Sequence, residues 1–83
     1  MSGMKNLHIQ YFAILREQAG VGEESLRIAV ADPAALYAEL AQRHPFKLRR
    51  EQLKVAVNAE FSSWDRELHD GDKVVFIPPV AGG

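Results

Sequence analysis

The chain has 83 residues, of which 47% are hydrophobic, and it contains no cysteine. This length fits one domain, and the absence of cysteine excludes a disulfide framework and a thiolate metal site. The chain has 10 lysine and arginine residues and 11 acidic residues. It therefore lacks the excess of positive charge that would predict binding to nucleic acid or to a membrane surface. The first residues do not resemble a signal peptide, and no apolar run approaches the roughly 20 residues of a membrane span, so we expect a cytoplasmic protein.

A half-buried strand is the first predicted element. Apolar and polar residues alternate over 5–13, and the apolar ones are Leu7, Ile9 and Tyr11. Phe12 interrupts the polar side of this strand. Two interpretations are open for Phe12: it contacts a partner beside the sheet edge, or it packs under a neighbouring loop.

A short helix and a second strand come next. Residues 14–19 favour a helix of one or two turns, which ends at the Gly-Val-Gly sequence of 20–22. Residues 25–30 again alternate between apolar and polar side chains. Because the connection is short, this second strand is predicted to pair antiparallel with the first.

The main helix is predicted over Pro33–His44. Asp32 is a favourable N-cap residue and Pro33 is favoured at the first helical position, while Pro45 ends the helix. The apolar side chains recur at helical spacing along one stripe. The helix should therefore lie across one face of the sheet.

The remaining segments predict the rest of the sheet. Residues 46–54 are charged and indicate a connection with one helical turn, interpreted as a solvated face. Short strands are predicted at 55–57 and 61–64, with Asn58 in the turn between them. A tight turn, Asp70–Asp72, leads into the last strand.

The order of these elements predicts an α+β protein with the ubiquitin-like β-grasp fold. A hairpin, a crossover helix and further strands give a mixed sheet of four to five strands with one main helix on one face. The first and last strands are expected side by side in the middle of that sheet. All of 1–83 is interpreted as a single domain.

The C-terminal segment is the most unusual part of the chain. Val74–Ile77 is apolar without interruption, which is typical of a buried strand. Two prolines follow, and because proline cannot donate to a strand ladder, we expect 78–83 to leave the sheet as a protruding tail. Gly82 and Gly83 carry no Cβ, so a partner's active site has room to close around this backbone and reach the terminal carboxylate.

No self-contained catalytic site is recognisable. The three histidines have no carboxylate or cysteine at helical or strand spacing, so no metal is predicted, and we interpret them as surface residues: His8, His44 and His69. No glycine-rich phosphate loop is present either, so no bound cofactor is expected. The Gly83 carboxylate is inert toward nucleophiles until it is activated. Adenylation by ATP is the simplest biological activation, and it implies a separate activating enzyme.

Four stretches of the chain resemble the small subunit of molybdopterin synthase. They occur in the family's order and are Tyr11–Glu17, Val55–Asn58, Leu68–Val74 and Phe76–Gly83. The Pro-Pro-Val-Ala-Gly-Gly end is the specific part of the resemblance, which extends from about Leu7 to Gly83. It implies the β-grasp fold and a sulfur carrier of molybdenum cofactor biosynthesis.

The resemblance also implies partners and roles. In this family an E1-like adenylyltransferase uses ATP to adenylate the terminal glycine, which becomes a thiocarboxylate. The tail then enters the large subunit of a heterotetramer, where the sulfur passes to cyclic pyranopterin monophosphate. By position, Gly83 would hold the sulfur and Gly82 would give clearance. The threading arm would comprise Pro78, Pro79, Val80 and Ala81, and the chain would be a non-catalytic sulfur donor.

A partner-binding surface is expected on the sheet face opposite the main helix. Phe12 and Phe76 are the candidate contact residues, with Val80 adding to them, and we expect 80–83 to be mobile in the free protein. Three alternative functions remain open at this stage. They are a sulfur carrier of thiazole synthesis or another pathway, a ubiquitin-like modifier joined to lysines, and an interaction module whose tail is incidental.

Overall fold

Residues 3–79 are described by the structure, a computed structural model. They contain five strands, which are β1 (Lys5–Tyr11), β2 (Glu23–Ile28), β3 (Lys54–Val57), β4 (Glu60–Ser62) and β5 (Lys73–Ile77). The helical elements are α1 (Ala13–Ala19), α2 (Pro33–Arg43) and a short 3-10 helix, Arg50–Gln52.

The five strands form one mixed sheet in the order β2-β1-β5-β3-β4. β1 and β5 are parallel and adjacent, whereas β2 pairs antiparallel with β1, and β3 pairs antiparallel with both β5 and β4. The buried side chains of α2 join one face of this sheet in a single hydrophobic core. This arrangement is the ubiquitin-like β-grasp fold, as the order of predicted elements indicated.

Local chemistry sets both ends of α2. The Asp32 carboxylate accepts a hydrogen bond from the Ala35 N–H (2.8 Å), and Pro33 occupies the first turn, where no N–H is needed. At the other end His44 has left the helix, with φ −128° and ψ 150°. Because the residue before a proline disfavours helical geometry, Pro45 ends the helix one residue earlier than we predicted.

A two-residue turn joins β3 to β4. Asn58 and Ala59 both have positive φ, 51° and 72°, which is the backbone of a type I′ hairpin. The Asn58 side chain accepts from the Lys73 N–H (2.9 Å) and donates to Asp72 (2.8 Å). The turn is therefore tied to the start of β5, the strand that carries the tail.

Phe76 belongs to the core, so its assignment to the partner-binding surface is wrong. Its side chain is 0% exposed and faces α2, with ring centroids 5.3 Å from Tyr37 and 5.9 Å from Trp64. Phe76 lies between Tyr11 of β1 and Val55 of β3, both of which are also buried. Side chains alternate along a strand, so the residues on either side of Phe76 face the opposite surface.

Candidate partner-binding site around the tail

The tail leaves the sheet next to two clefts. Pro78 is buried and Pro79 is exposed, so the exposed arm begins at Pro79 rather than at Pro78 as predicted. Pro78 lines a cleft on each side, one beside the start of α1 and one beside the 3-10 helix. The predictions for Val80, Ala81, Gly82 and Gly83 lie outside the described residues.

Apolar side chains lie on the sheet face opposite α2, at the end of the sheet from which the tail leaves. Ala56 pairs with Phe61 on one side and Val75 on the other, so these three share a face. Ile77 is two residues after Val75 and shares that face, and Phe12 lines a cleft with Ile77. We call these residues the outer patch: Phe12, Ala56, Phe61, Val75 and Ile77.

Two aromatic rings of the outer patch are unusually exposed. Phe61 is 74% exposed and Phe12 is 45% exposed, while Val75 and Ile77 are half-buried. Contiguous exposed apolar side chains, aromatic ones especially, are typical of a protein–protein interface. Phe12 is exposed beside this face, as the first of its two interpretations requires, and its contact with a partner stays a prediction. The β5 residues on this face are Val75 and Ile77 rather than Phe76.

Sequence reasoning also missed Phe61 as a member of the outer patch. It lay in a predicted edge segment without a role, and only the pairing of β3 with β4 brings it beside Ala56. Val75 and Ile77 carry no such signal, because Val74–Ile77 is apolar throughout; they are placed on the outer face only once Phe76 is known to lie in the core.

The backbone is strained where β1 turns into α1. Ala13 has φ 52°, a left-handed conformation that costs an L-residue roughly 1–2 kcal/mol. Strained residues of this kind are common at functional sites. Here the residue lies next to Phe12 and lines the apolar cleft beside Pro78 and Pro79.

His44 is not a simple surface histidine, which corrects its sequence interpretation. Its side chain is 17% exposed, and its Nε2 lies 2.7 Å from a Glu24 carboxylate oxygen. The Tyr11 hydroxyl donates to the same oxygen. The three residues come from different elements, so no sequence spacing could reveal the cluster. It joins the end of α2 to the edge strand β2 rather than forming a catalytic site.

Two carboxylates are held in their charged form. Burial raises the pKa of Glu24, but hydrogen bonds from Tyr11 and His44 outweigh it, so the pKa is lowered overall. Burial also raises the pKa of Asp72, but hydrogen bonds from the His69 N–H and the Asn58 side chain outweigh it, so this pKa is lowered as well. For Tyr11, burial and the neighbouring Glu24 carboxylate raise the pKa.

These carboxylates predict a loss of stability in acid. Their pKa values in the folded protein lie below those of unfolded Asp and Glu, about 3.9 and 4.3. Their contribution to the free energy of unfolding is therefore complete when the pH is above the pKa values of the unfolded chain. It is lost as the pH falls through the pKa values of the folded protein. We expect the urea concentration at the unfolding midpoint to decrease when the pH is lowered below about 4. The decrease should be smaller in Glu24→Gln than in the control Glu67→Gln, whose side chain is 80% exposed. Equal decreases would contradict the assignment.

Within residues 3–79 no three or more His, Asp or Glu side chains group closely enough to hold a metal ion. Nor does this part of the chain contain a helix long and apolar enough to cross a membrane.

Comparisons with known proteins agree with this geometry. The ThiS family matches residues 9–83. The molybdopterin synthase sulfur carrier subunit of Escherichia coli is 37% identical over 82 residues, which cover 93% of this chain and 99% of that protein. A Pyrococcus furiosus chain described as subunit 1 of a molybdopterin converting factor superposes with a TM-score of 0.76 at 34% identity. That superposition covers 92% of this chain and 99% of the other.

A second similar structure contains two different subunits. It is the complex of subunits 1 and 2 of the molybdopterin-converting factor from Helicobacter pylori. The matched chain has a TM-score of 0.63 and 25% identity, with 94% of this chain and 99% of that chain covered. These similarities extend over nearly the whole length of each chain. The protein belongs to the ThiS family, in the group of the molybdopterin synthase sulfur carrier subunits.

Proposed function

We propose that this chain is the sulfur carrier of molybdenum cofactor biosynthesis and donates sulfur from Gly83 inside a molybdopterin synthase large subunit. The observation that carries the proposal is the position of the outer patch beside the root of the tail. Pro79 is exposed at the edge of a cleft lined by Phe12 and Ile77. A partner that covers the patch is therefore placed to receive residues 80–83.

The chemistry requires two partners. The Gly83 carboxylate attacks ATP on an E1-like adenylyltransferase, which forms an acyl adenylate and releases pyrophosphate. Hydrosulfide (HS⁻) from a sulfur donor then attacks the carboxyl carbon and displaces AMP, leaving a thiocarboxylate. In the large subunit this sulfur is transferred to cyclic pyranopterin monophosphate, and water attacks the carboxyl carbon to restore the Gly83 carboxylate. Because ATP is consumed at the first step, we place the cycle in the cytoplasm.

Patch and tail contribute differently to this cycle. The outer patch supplies apolar area, which favours docking without restricting the tail. The arm of Pro78, Pro79, Val80 and Ala81 then spans from the docked domain to the reaction centre. Gly82 gives the backbone clearance that a narrow channel needs. The carrier itself binds no cofactor in this scheme.

Intact mass spectrometry tests the proposal. The chain is incubated with the E1-like enzyme of its own organism, ATP and a sulfur donor, with a parallel reaction that lacks ATP. We expect a mass increase equal to the difference between a sulfur and an oxygen atom, only when ATP is present. Adding the large subunit and cyclic pyranopterin monophosphate should return the mass to that of the carboxylate. A thiocarboxylate that persists in their presence would exclude the molybdopterin pathway and favour another sulfur-carrier pathway.

A further inference from the structure

His8 contacts two side chains of β2 on the sheet face opposite α2. Its neighbours Leu7 and Ile9 are buried, so alternation along β1 directs His8 to that face. His8 lies directly across from Ser25, and its Nδ1 is 3.1 Å from the Ser25 Oγ. Its Nε2 is 2.5 Å from a carboxylate oxygen of Glu23. A hydroxyl, an imidazole and a carboxylate are therefore linked in that order.

The two partners of His8 set the position of its ring proton. A carboxylate only accepts hydrogen bonds, so the Nε2 that faces Glu23 carries the proton when the imidazole is neutral. The Nδ1 is then an acceptor, and the Ser25 hydroxyl donates to it. This is the arrangement of nucleophile, general base and orienting group that activates a serine hydroxyl.

The sheet holds the base in place and leaves the hydroxyl accessible. β1 lies between β2 and β5, and the His8 N–H donates to the Asp72 carbonyl (3.0 Å). Ser25 is an exposed residue of the edge strand, so a reagent reaches its hydroxyl from solvent. Arg27 of β2 and Lys73 of β5 also lie on this face. Their positive charges favour the oxyanion that forms when an acyl carbon is attacked.

We propose that Ser25 is an acyl acceptor for active esters and acyl-phosphate anhydrides, with His8 as its general base and Glu23 as the residue that orients His8. The Ser25 oxygen attacks the acyl carbon, and the hydroxyl proton passes to the His8 Nδ1. The bond from the acyl carbon to the leaving group then breaks, and the leaving group takes up that proton. The products are an ester on Ser25 and the free leaving group. This site uses neither the tail nor a partner protein, so it does not depend on the proposed function.

The open position of the site limits its substrates. Backbone N–H groups of a strand lie in the plane of the sheet, so they do not face an oxyanion above Ser25. The reaction therefore requires an acyl group that already carries a good leaving group. The ester formed on Ser25 lacks such a leaving group, so we expect its hydrolysis to be slow and the acylated chain to accumulate.

Acetylation by p-nitrophenyl acetate, mapped to single residues by mass spectrometry, tests this proposal. Hydroxylamine removes acetyl groups from hydroxyls but not from amines, which separates Ser25 from labelled lysines. Ser63 is the matched serine in the same chain: it is exposed like Ser25, but its hydrogen-bond partner is Ser62 and not an imidazole. We expect Ser25 to be acetylated about tenfold or more faster than Ser63, since a positioned general base contributes at least that much.

Variants assign the two supporting roles. His8→Gln should lower the rate at Ser25 to that at Ser63, and Glu23→Ala should lower it less, while the rate at Ser63 stays unchanged in both. A general effect on the fold would instead change both serines, and circular dichroism checks that the variants are folded. If either variant fails to fold, the comparison of Ser25 with Ser63 in the wild-type chain still decides. Equal rates at the two serines, a rate at Ser25 that His8→Gln leaves unchanged, or label confined to amines would each overturn the proposal.

Discussion

Deletion of Gly83 should abolish sulfur transfer and leave the fold intact. Removing one residue shortens the tail by about 3.3–3.6 Å, which withdraws the terminal carbon from both partner active sites. A misplacement of even 1 Å can cost roughly 100-fold in rate, so the loss should be close to complete. Stability should change by less than about 0.5 kcal/mol, because no buried side chain is removed.

The measurement is formation of molybdopterin from cyclic pyranopterin monophosphate by the reconstituted synthase. A chain extended by one residue beyond Gly83 is the matched variant, since it keeps the length of the arm but converts the glycine carboxylate into an amide that cannot be adenylated. Both variants should bind the large subunit through the outer patch. A folded, Gly83-deleted chain with full turnover would remove the carrier role and return the protein to an interaction module.

Much of this fold was predictable because its boundaries depend on local chemistry. Asp32, Pro33 and Pro45 delimit α2, and Asn58 turns the β3–β4 hairpin, each through its own backbone preference or side-chain hydrogen bond. The alternation in β1 likewise identified its buried face. These signals need no knowledge of distant residues, so they are readable from the chain itself.

The faces of β5 could not be assigned in the same way. Val74–Ile77 is apolar throughout because β5 is the central strand: Val74 and Phe76 enter the core, and Val75 and Ile77 belong to the outer patch. Without alternation, the inward face is set only by the register with β1 and β3, a long-range property. That register places Phe76 in the core and Val75 and Ile77 on the outer patch.

Two other features depend on the topology of the fold. Tyr11, Glu24 and His44 come from separate elements, and their hydrogen bonds exist only because β2 pairs with β1 beside the end of α2. The charge of 47–54 is visible in the sequence, where it was interpreted as a solvated face. Residues 51–54 of this segment line a cleft with Pro78 and Pro79, which follows from the pairing of β3 with β5.

The burial of Phe76 predicts a large loss of stability on truncation. Phe76→Ala removes a ring that is 0% exposed and packs against Tyr37 and Trp64. Phenylalanine-to-alanine changes in a core cost about 3–5 kcal/mol, which in a domain of this size lowers Tm by more than about 10 °C. Thermal unfolding followed by circular dichroism measures this shift.

Phe12→Ala is the matched truncation on the outer patch, and it should behave in the opposite way. Phe12 is 45% exposed, so its removal should leave Tm nearly unchanged. An exposed aromatic ring that becomes buried in a complex is a common binding hot spot, and its loss should raise Kd for the large subunit about tenfold or more. If Phe12→Ala instead lowers Tm as much as Phe76→Ala and leaves Kd unchanged, Phe12 is a packing residue and the outer patch ends at Ile77.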